Sequence, residues 1–287
     1  MAQRRWFGMS KKRRRIFISV WLLCAAAFLA SALLIGGPSQ DESIKETMRD
    51  AVLHESNKIS FFGLVDVNPA LVSAYTVTGI LLLFAAAVRI FAVPRLKTIP
   101  GKFQILLEEA VGFFDNLAKG NSPHKNRFLG AYVFTAGAYI FLGTCFELLG
   151  LQGITTAGRS ISLPAPLADI NGAIAMGVTS YLIILSGGIL GNGARGLLSA
   201  LKEFSLPISM SFRLFGALLS GLLVTELVYY CVGLSVALPV VVGVLFTALH
   251  AIIQTYVLTM LTAVFYGEVS EKTEKHKKPK KNRRKDL

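Results

Sequence analysis

Residues 204–234 read FSLPISMSFRLFGALLSGLLVTELVYYCVGL, an apolar run of 31 residues with Arg213 inside it. A run of that length in a bilayer must be helical, because lipid offers no partner to a backbone N–H or C=O. Of the chain's 30 Lys and Arg residues, Arg213 alone lies deep within such a run. A permanent cation at that depth costs from ~2.5 to well over ~10 kcal/mol, so it persists where water, a carboxylate or a function compensates it. The residue therefore implies charge handled inside a membrane.

Five further apolar segments flank this one: Ile16 to Gly37, Leu71 to Val93, Phe128 to Leu151, Leu167 to Leu190 and Val236 to Tyr266. All are longer than the ~18 residues that read as a transmembrane helix. In 287 residues, 53% are apolar and 16% charged, mean hydropathy is +0.56, and no soluble core of comparable size is left over. The expected fold is an all-α polytopic membrane protein. Five core membrane helices are joined by an N-terminal signal or anchor helix and an amphipathic cytoplasmic helix, and the last two helices are long and steeply tilted. With the N-terminus in the cytoplasm, 25 Lys and Arg residues lie at the inner flanks and 4 at the outer ones, which fixes this orientation by the positive-inside rule. Cys24, Cys145 and Cys231 sit in apolar runs without a CxxC pairing. They read as packing residues, not as a disulfide framework or zinc site.

The chain divides into an N-terminal segment (1–37), an extracytoplasmic stretch (38–70), a membrane domain (71–267) and a basic cytoplasmic tail (268–287). KKRRR at 11–15, then an apolar run and Ala30-Ser31-Ala32, resembles a cleaved secretory signal. Its roughly 20 apolar residues outlast the ~7 to ~15 of a signal core, which favours a retained anchor helix. A mitochondrial presequence fits less well, since such peptides are amphipathic. Between Gly101 and Lys119, Phe103, Leu106, Leu107, Ala110, Val111, Phe114, Leu117 and Ala118 recur at helical spacing among charged residues. That pattern predicts an amphipathic helix on the cytoplasmic membrane face, or a short soluble helix packed on its neighbours. The tail KTEKHKKPKKNRRKDL is read as a topology and anionic-lipid signal and not as a nucleic-acid site.

The last two segments hold 31 residues each, ~46 Å of helix against ~30 Å of hydrocarbon, which calls for steep tilt. A very short link makes them neighbours in contact. Ser209, Arg213, Ala217 and Ser220, with Gly216 and Gly221 beside them, form a narrow stripe of small residues interrupted by the cation. Small stripes let another helix approach closely. The guanidinium in its middle calls for an opposing helix that supplies a carboxylate. Polar residues elsewhere in the runs are Glu147, Asp169, Asn171, Glu226, His250 and Gln254. Asp169 is read either as an N-terminal cap or as part of a polar path, and Glu147 as a solvated helix end or part of that path. Glu226 stands too deep for an end effect. His250 shares a face with Gln254 four residues on, with a hydrogen-bonded packing role as its alternative.

Soluble chemistry finds no support. Gly191-Asn192-Gly193-Ala194-Arg195-Gly196 matches GxGxxG but follows a membrane helix and lies in a cytoplasmic loop, the wrong context for a dinucleotide. No P-loop, HExxH or GxSxG pattern is present. No cofactor, no metal and no catalytic residues are expected, so the chain is not an enzyme on its own.

Ser209-Met210-Ser211-Phe212-Arg213-Leu214-Phe215-Gly216, followed by Ser220-Gly221, resembles the Arg-containing signature of the subunit a family of F-type ATP synthases. Gln254-Thr255-Tyr256-Val257-Leu258-Thr259-Met260-Leu261-Thr262 and Ala168-Asp169-Ile170-Asn171 are similar to two further motifs of that family, in order, within Val65 to Ser270. The resemblance implies the stator half of a rotary proton motor. Two offset aqueous half-channels would meet a ring of c subunits, with b subunits of the peripheral stalk and the rest of the synthase as partners. Arg213 would face the passing ring carboxylate, favour its ionised form and block leakage between half-channels. Opposite charge lowers a carboxyl pKa and burial against lipid raises it again, so rotation alternates release and retention. By the same likeness Gln254 would neighbour the Arg and Ser209 would line the cytoplasmic exit. Glu147, Asp169, Asn171, Glu226 and His250 are candidates for the outer inlet.

The match has departures. Ala217 stands where the family usually has Asn. Leu222 and Thr247 replace a commonly ionisable pair, with Glu226 and His250 about one turn away as a shifted substitute. A secondary transporter or ion channel is the alternative function, but the repeated architecture of such transporters is not found. The bacterial plasma membrane is the expected location, with the mitochondrial inner membrane second.

Overall fold

The computed structural model describes residues 18–20, 22–23, 26–27, 30, 49, 58–61, 65–123, 127–156, 158, 160–230 and 238–271. Among them are five helices long and apolar enough to cross a membrane, and the all-α polytopic class holds. The first apolar segment, Ile16 to Gly37, lies mostly outside the described residues, although those described within it are helical. The basic tail from 272 lies outside them too.

Helix α1 spans Pro69–Ala87. Pro69 opens it, where the missing N–H costs nothing, and the Asn68 side chain accepts from the Ala70 N–H at 2.9 Å. A π-helical turn, Val88–Ala92, and a 3-10 turn, Val93–Arg95, follow. Pro94 has no N–H, and its ring crowds the carbonyl one turn back, so regular α geometry ends there. Helix α2 covers Lys102–Asn121 and α3 covers Arg127–Phe146, which runs on as a 3-10 turn, Glu147–Leu149. Helices α4 (Ile170–Asn192), α5 (Ala194–Lys202), α6 (Ser205–Tyr230) and α7 (Leu238–Ser270) complete the described chain.

Two short antiparallel hairpins add to the helical fold. Strands β1 (Ile59–Phe61) and β2 (Val65–Val67) pair with Ile59 opposite Val67. Strands β3 (Gln152–Ile154) and β4 (Ser160–Ser162) pair with Gln152 opposite Ser162. The Thr156 N–H donates to the Lys58 carbonyl at 3.0 Å and joins the two.

The core lies where α3, α4, α6 and α7 meet. Leu129, Val133 and Ile140 of α3, Ile184 of α4, Met210 and Leu214 of α6 and Tyr266 of α7 are buried together. Helix α4 approaches α6 through Gly177, where an added Cβ would fall 2.9 Å from the Pro207 carbonyl oxygen. That contact is the close small-residue packing expected in a membrane, but it engages the Pro207–Ser211 edge of α6 and leaves the Arg213 stripe free. Helix α1 stands to one side, with Val77 packed against Phe146 and Leu163.

Two expectations change. The described parts of the last two helices hold 26 residues in α6 and 33 in α7, about 39 and 50 Å of helix, each longer than the ~30 Å of hydrocarbon. They are in contact as expected, while the link at 231–237 lies outside the described residues. The GxGxxG stretch is not a loop: it spans the end of α4, a turn at Gly193 with φ of 61°, and the start of α5. Tyr181 Oη donates to the Ala200 carbonyl at 3.1 Å and holds α5 against α4. Finally, α2 combines both readings offered for it. Its C-terminal half packs on the bundle through Phe114, edge-on to Phe134 at 5.8 Å, and through buried Ala118. Its N-terminal half leaves Phe103, Ile105 and Leu106 exposed.

Candidate functional site

Helical periodicity settles where Arg213 points. Met210, Leu214 and Leu218, at i, i+4 and i+8, are buried against the core, so Ser209, Phe212, Arg213, Gly216 and Ser220 face outward, where all five are exposed. Arg213 has no hydrogen bond or ion pair among the described residues. A Cβ added at Gly216 or Gly221 would meet nothing within 4 Å. The small-residue stripe is thus an open strip on the flank of the molecule, and no described residue of this chain supplies the opposing carboxylate expected from sequence. Water or the carboxylate of another chain is what can neutralise a guanidinium on such a face.

Gln254, on the neighbouring helix α7, is 6% exposed, and its Oε1 has no hydrogen-bond partner among the described residues. Thr255 Oγ1 is likewise buried and unpartnered. Further along the helix, the hydroxyls of Thr259 and Thr262 donate to carbonyls one turn back, at 2.6 and 2.8 Å. An unpaired buried acceptor costs about 1–3 kcal/mol, so the Gln254–Thr255 level is left wanting a donor that the described residues do not provide.

Over residues 72–267 the sequence matches the family model described as ATP synthase A chain. The chain belongs to that family. It is similar to ATP synthase subunit a of Cereibacter sphaeroides (strain ATCC 17025 / ATH 2.4.3), 26% identical over 200 residues that make up 65% of this chain and 76% of the relative. It is also similar to ATP synthase subunit a 2 of Vibrio campbellii (strain ATCC BAA-1116), 23% identical over 221 residues, 66% of this chain and 84% of the relative. The chain is accordingly a multi-pass membrane protein of the ATP synthase, associated with ion transport and ATP synthesis. The matched range takes in both Arg213 and Gln254 and leaves out the β1–β2 hairpin.

The other polar residues of this ATP synthase A chain family member are spread along the bundle. His250 is half-buried, its Nδ1 2.8 Å from the Phe246 carbonyl oxygen and its ring 5.8 Å from that of Phe246. Glu226 falls within α6, and its side chain lies outside the described residues. Glu147 is half-buried at the first position of its 3-10 turn, and Asn171 is exposed in the first turn of α4. Asp169 occupies the N-cap position of α4, yet its carboxylate makes no capping bond. It accepts instead from Asn68 Nδ2 at 3.2 Å, which corrects the capping reading.

Sequence reasoning missed Asn68. An Asn before Pro at a helix start signals a cap, but its second bond, across 101 positions to Asp169, leaves no local trace. It also missed Tyr132, whose hydroxyl lies 2.7 Å from Ser180 Oγ and links α3 to α4.

Proposed function

We propose that this chain is the proton-conducting stator subunit of a bacterial plasma-membrane ATP synthase, with the open strip of α6 as the track along which a ring of c subunits passes. The observation that carries the reading is Arg213, a cation with no partner among the described residues, on an open helix face where Gly216 and Ser220 are also exposed. A ring carboxylate arriving opposite it becomes ionised by the guanidinium, and on rotating into lipid it takes up a proton again. The Arg also separates two half-channels. Asp169, Asn171, Glu147, Glu226 and His250 carry protons from the outer side, Ser209 lines the cytoplasmic exit, and Gln254 places an amide near the Arg at the crossing point. The b subunits of a peripheral stalk hold the chain against the rotor's torque.

Recovery of the tagged chain from its own membranes in mild detergent is expected to bring down a c-ring, b subunits and soluble ATPase subunits. Isolation of the chain alone from intact membranes would remove this reading and favour a secondary transporter. Asn68 gives a test of the inlet. Asn68→Asp keeps an oxygen able to cap α1 but has no N–H to donate to Asp169. A hydrogen bond to a charged group is worth about 1.5–3 kcal/mol. We expect proton-driven ATP synthesis to fall severalfold with complex content unchanged on immunoblots, whereas equal rates would show that Asp169 is not held for transport by Asn68.

A further inference from the structure

At the cytoplasmic elbow where α1 passes into α2 lies a cavity of about 440 Å³, lined by Phe91, Arg95, Leu96, Lys97, Phe103 and Gln104 among others. Its floor is braced. Gln104 Nε2 donates to the Lys97 carbonyl at 3.0 Å while its Oε1 accepts from the Lys97 N–H at 3.1 Å. The same Nε2 reaches Glu108 Oε1 at 2.7 Å, so the nearby acid is already engaged.

The cavity lining combines two cations, Arg95 and Lys97, with apolar side chains. Arg95 makes only a long contact, 3.4 Å, from Nη1 to the Phe91 carbonyl. Neither it nor Lys97, nor Lys102 at the first position of α2, has an ion pair among the described residues. Gly101, the N-cap of α2, offers no side-chain capping bond, so the first N–H groups of that helix stay open beside the two cations. Of the apolar lining, Phe91, Leu96 and Phe103 are exposed, and Ile99 nearby in sequence is exposed by 85%. A soluble anion would use the charges and leave these apolar faces in water, and an apolar peptide would leave the cations unpaired. The level is that of the headgroups, since the membrane-spanning stretch Pro69–Arg95 ends here.

We propose that this elbow binds an anionic phospholipid. The phosphate sits between Arg95, Lys97 and the start of α2, and the acyl chains lie along Phe91, Leu96 and Phe103. The site is independent of the Arg213 strip.

The test uses the whole assembly, purified and exchanged into nanodiscs of phosphatidylcholine mixed with phosphatidylglycerol, and reads lipid retained per complex after mild delipidation by native mass spectrometry. Wild type is expected to retain phosphatidylglycerol over phosphatidylcholine. Arg95→Gln with Lys97→Gln should lose about fivefold of that preference per cation removed, although the tail at 272–287 is intact. Arg95→Lys with Lys97→Arg, which keeps the charge, should restore it. Lys119→Gln, at the far end of α2 in an ion pair with Asp115, should change nothing. Equal retention of the two lipids by wild type, or undiminished preference in the double Gln variant, would overturn the site. Displacement of the phosphatidylglycerol by inorganic phosphate would overturn the lipid as occupant.

Discussion

Arg213→Ala is expected to reduce ATP synthesis driven by an imposed proton gradient to background, with no loss in the thermal stability of the purified chain. Both halves follow from the same geometry. The side chain is exposed on α6 and touches nothing in the described chain that its removal would unpair, so truncation leaves no buried orphan and no cavity. Stability should hold or rise, because an unpaired cation on an apolar flank is itself costly, by ~2.5 kcal/mol or more. Function should go entirely, since no other cation among the described residues of α6 or α7 can take its place opposite a ring carboxylate. Arg213→Lys is expected to fail nearly as completely: an ammonium is a compact, strongly hydrated point charge, whereas the planar guanidinium presents a fork of donors to a moving carboxylate and cannot give up its proton. Synthesis rates in inverted vesicles, read beside a detergent melting curve, check both. Coupled synthesis retained in Arg213→Ala would end the motor reading, and a collapse in stability would mean that the residue is structural.

That residue was legible in the sequence because an apolar background makes one charge conspicuous. The helices were legible for the same reason: lipid leaves long apolar runs a single backbone solution. What stayed hidden depends on contacts between distant parts of the chain or on segments too short to carry a pattern. Strands β1 to β4 have three residues each, too few for alternation to register. Helix α5 was masked by the glycines around it. Gly193 does end a helix, but Gly188 and Gly196 bring two helices together, an added Cβ at Gly188 falling 2.7 Å from the Gly196 carbonyl oxygen. Within the site, the stripe on α6 was visible as small residues, whereas its openness was not. Ser209, Gly216 and Ser220 spell the same pattern whether a helix of this chain covers them or a separate rotor does. Only the placement of Met210, Leu214 and Leu218 toward the core turns that face outward.

The openness of the strip makes the second large effect predictable. Gly216→Leu should leave the isolated chain as stable as before or slightly more so, and yet stop rotation. A Cβ added at this exposed position meets nothing of the described chain within 4 Å, and replacing a mid-helix Gly by Leu gains roughly 0.5–1 kcal/mol of helix propensity. If the stripe were packing surface for another helix of this chain, the same change would force that helix away at a cost of about 1–3 kcal/mol. The two readings therefore predict opposite signs in the melting temperature. Against a rotor the Leu lies one turn from Arg213 on the same outward face and fills the space a ring helix must sweep, so the carboxylate no longer comes within reach of the guanidinium. Proton-driven synthesis and ATP-driven proton pumping should both fall to near background, and Gly216→Ala, a single methyl, should fall much less. Gly177→Leu supplies the contrast, because that glycine already abuts the Pro207 carbonyl and its replacement should lower stability and activity together. Normal pumping by Gly216→Leu in a fully assembled complex would mean that no partner passes along this face, whatever Arg213 does.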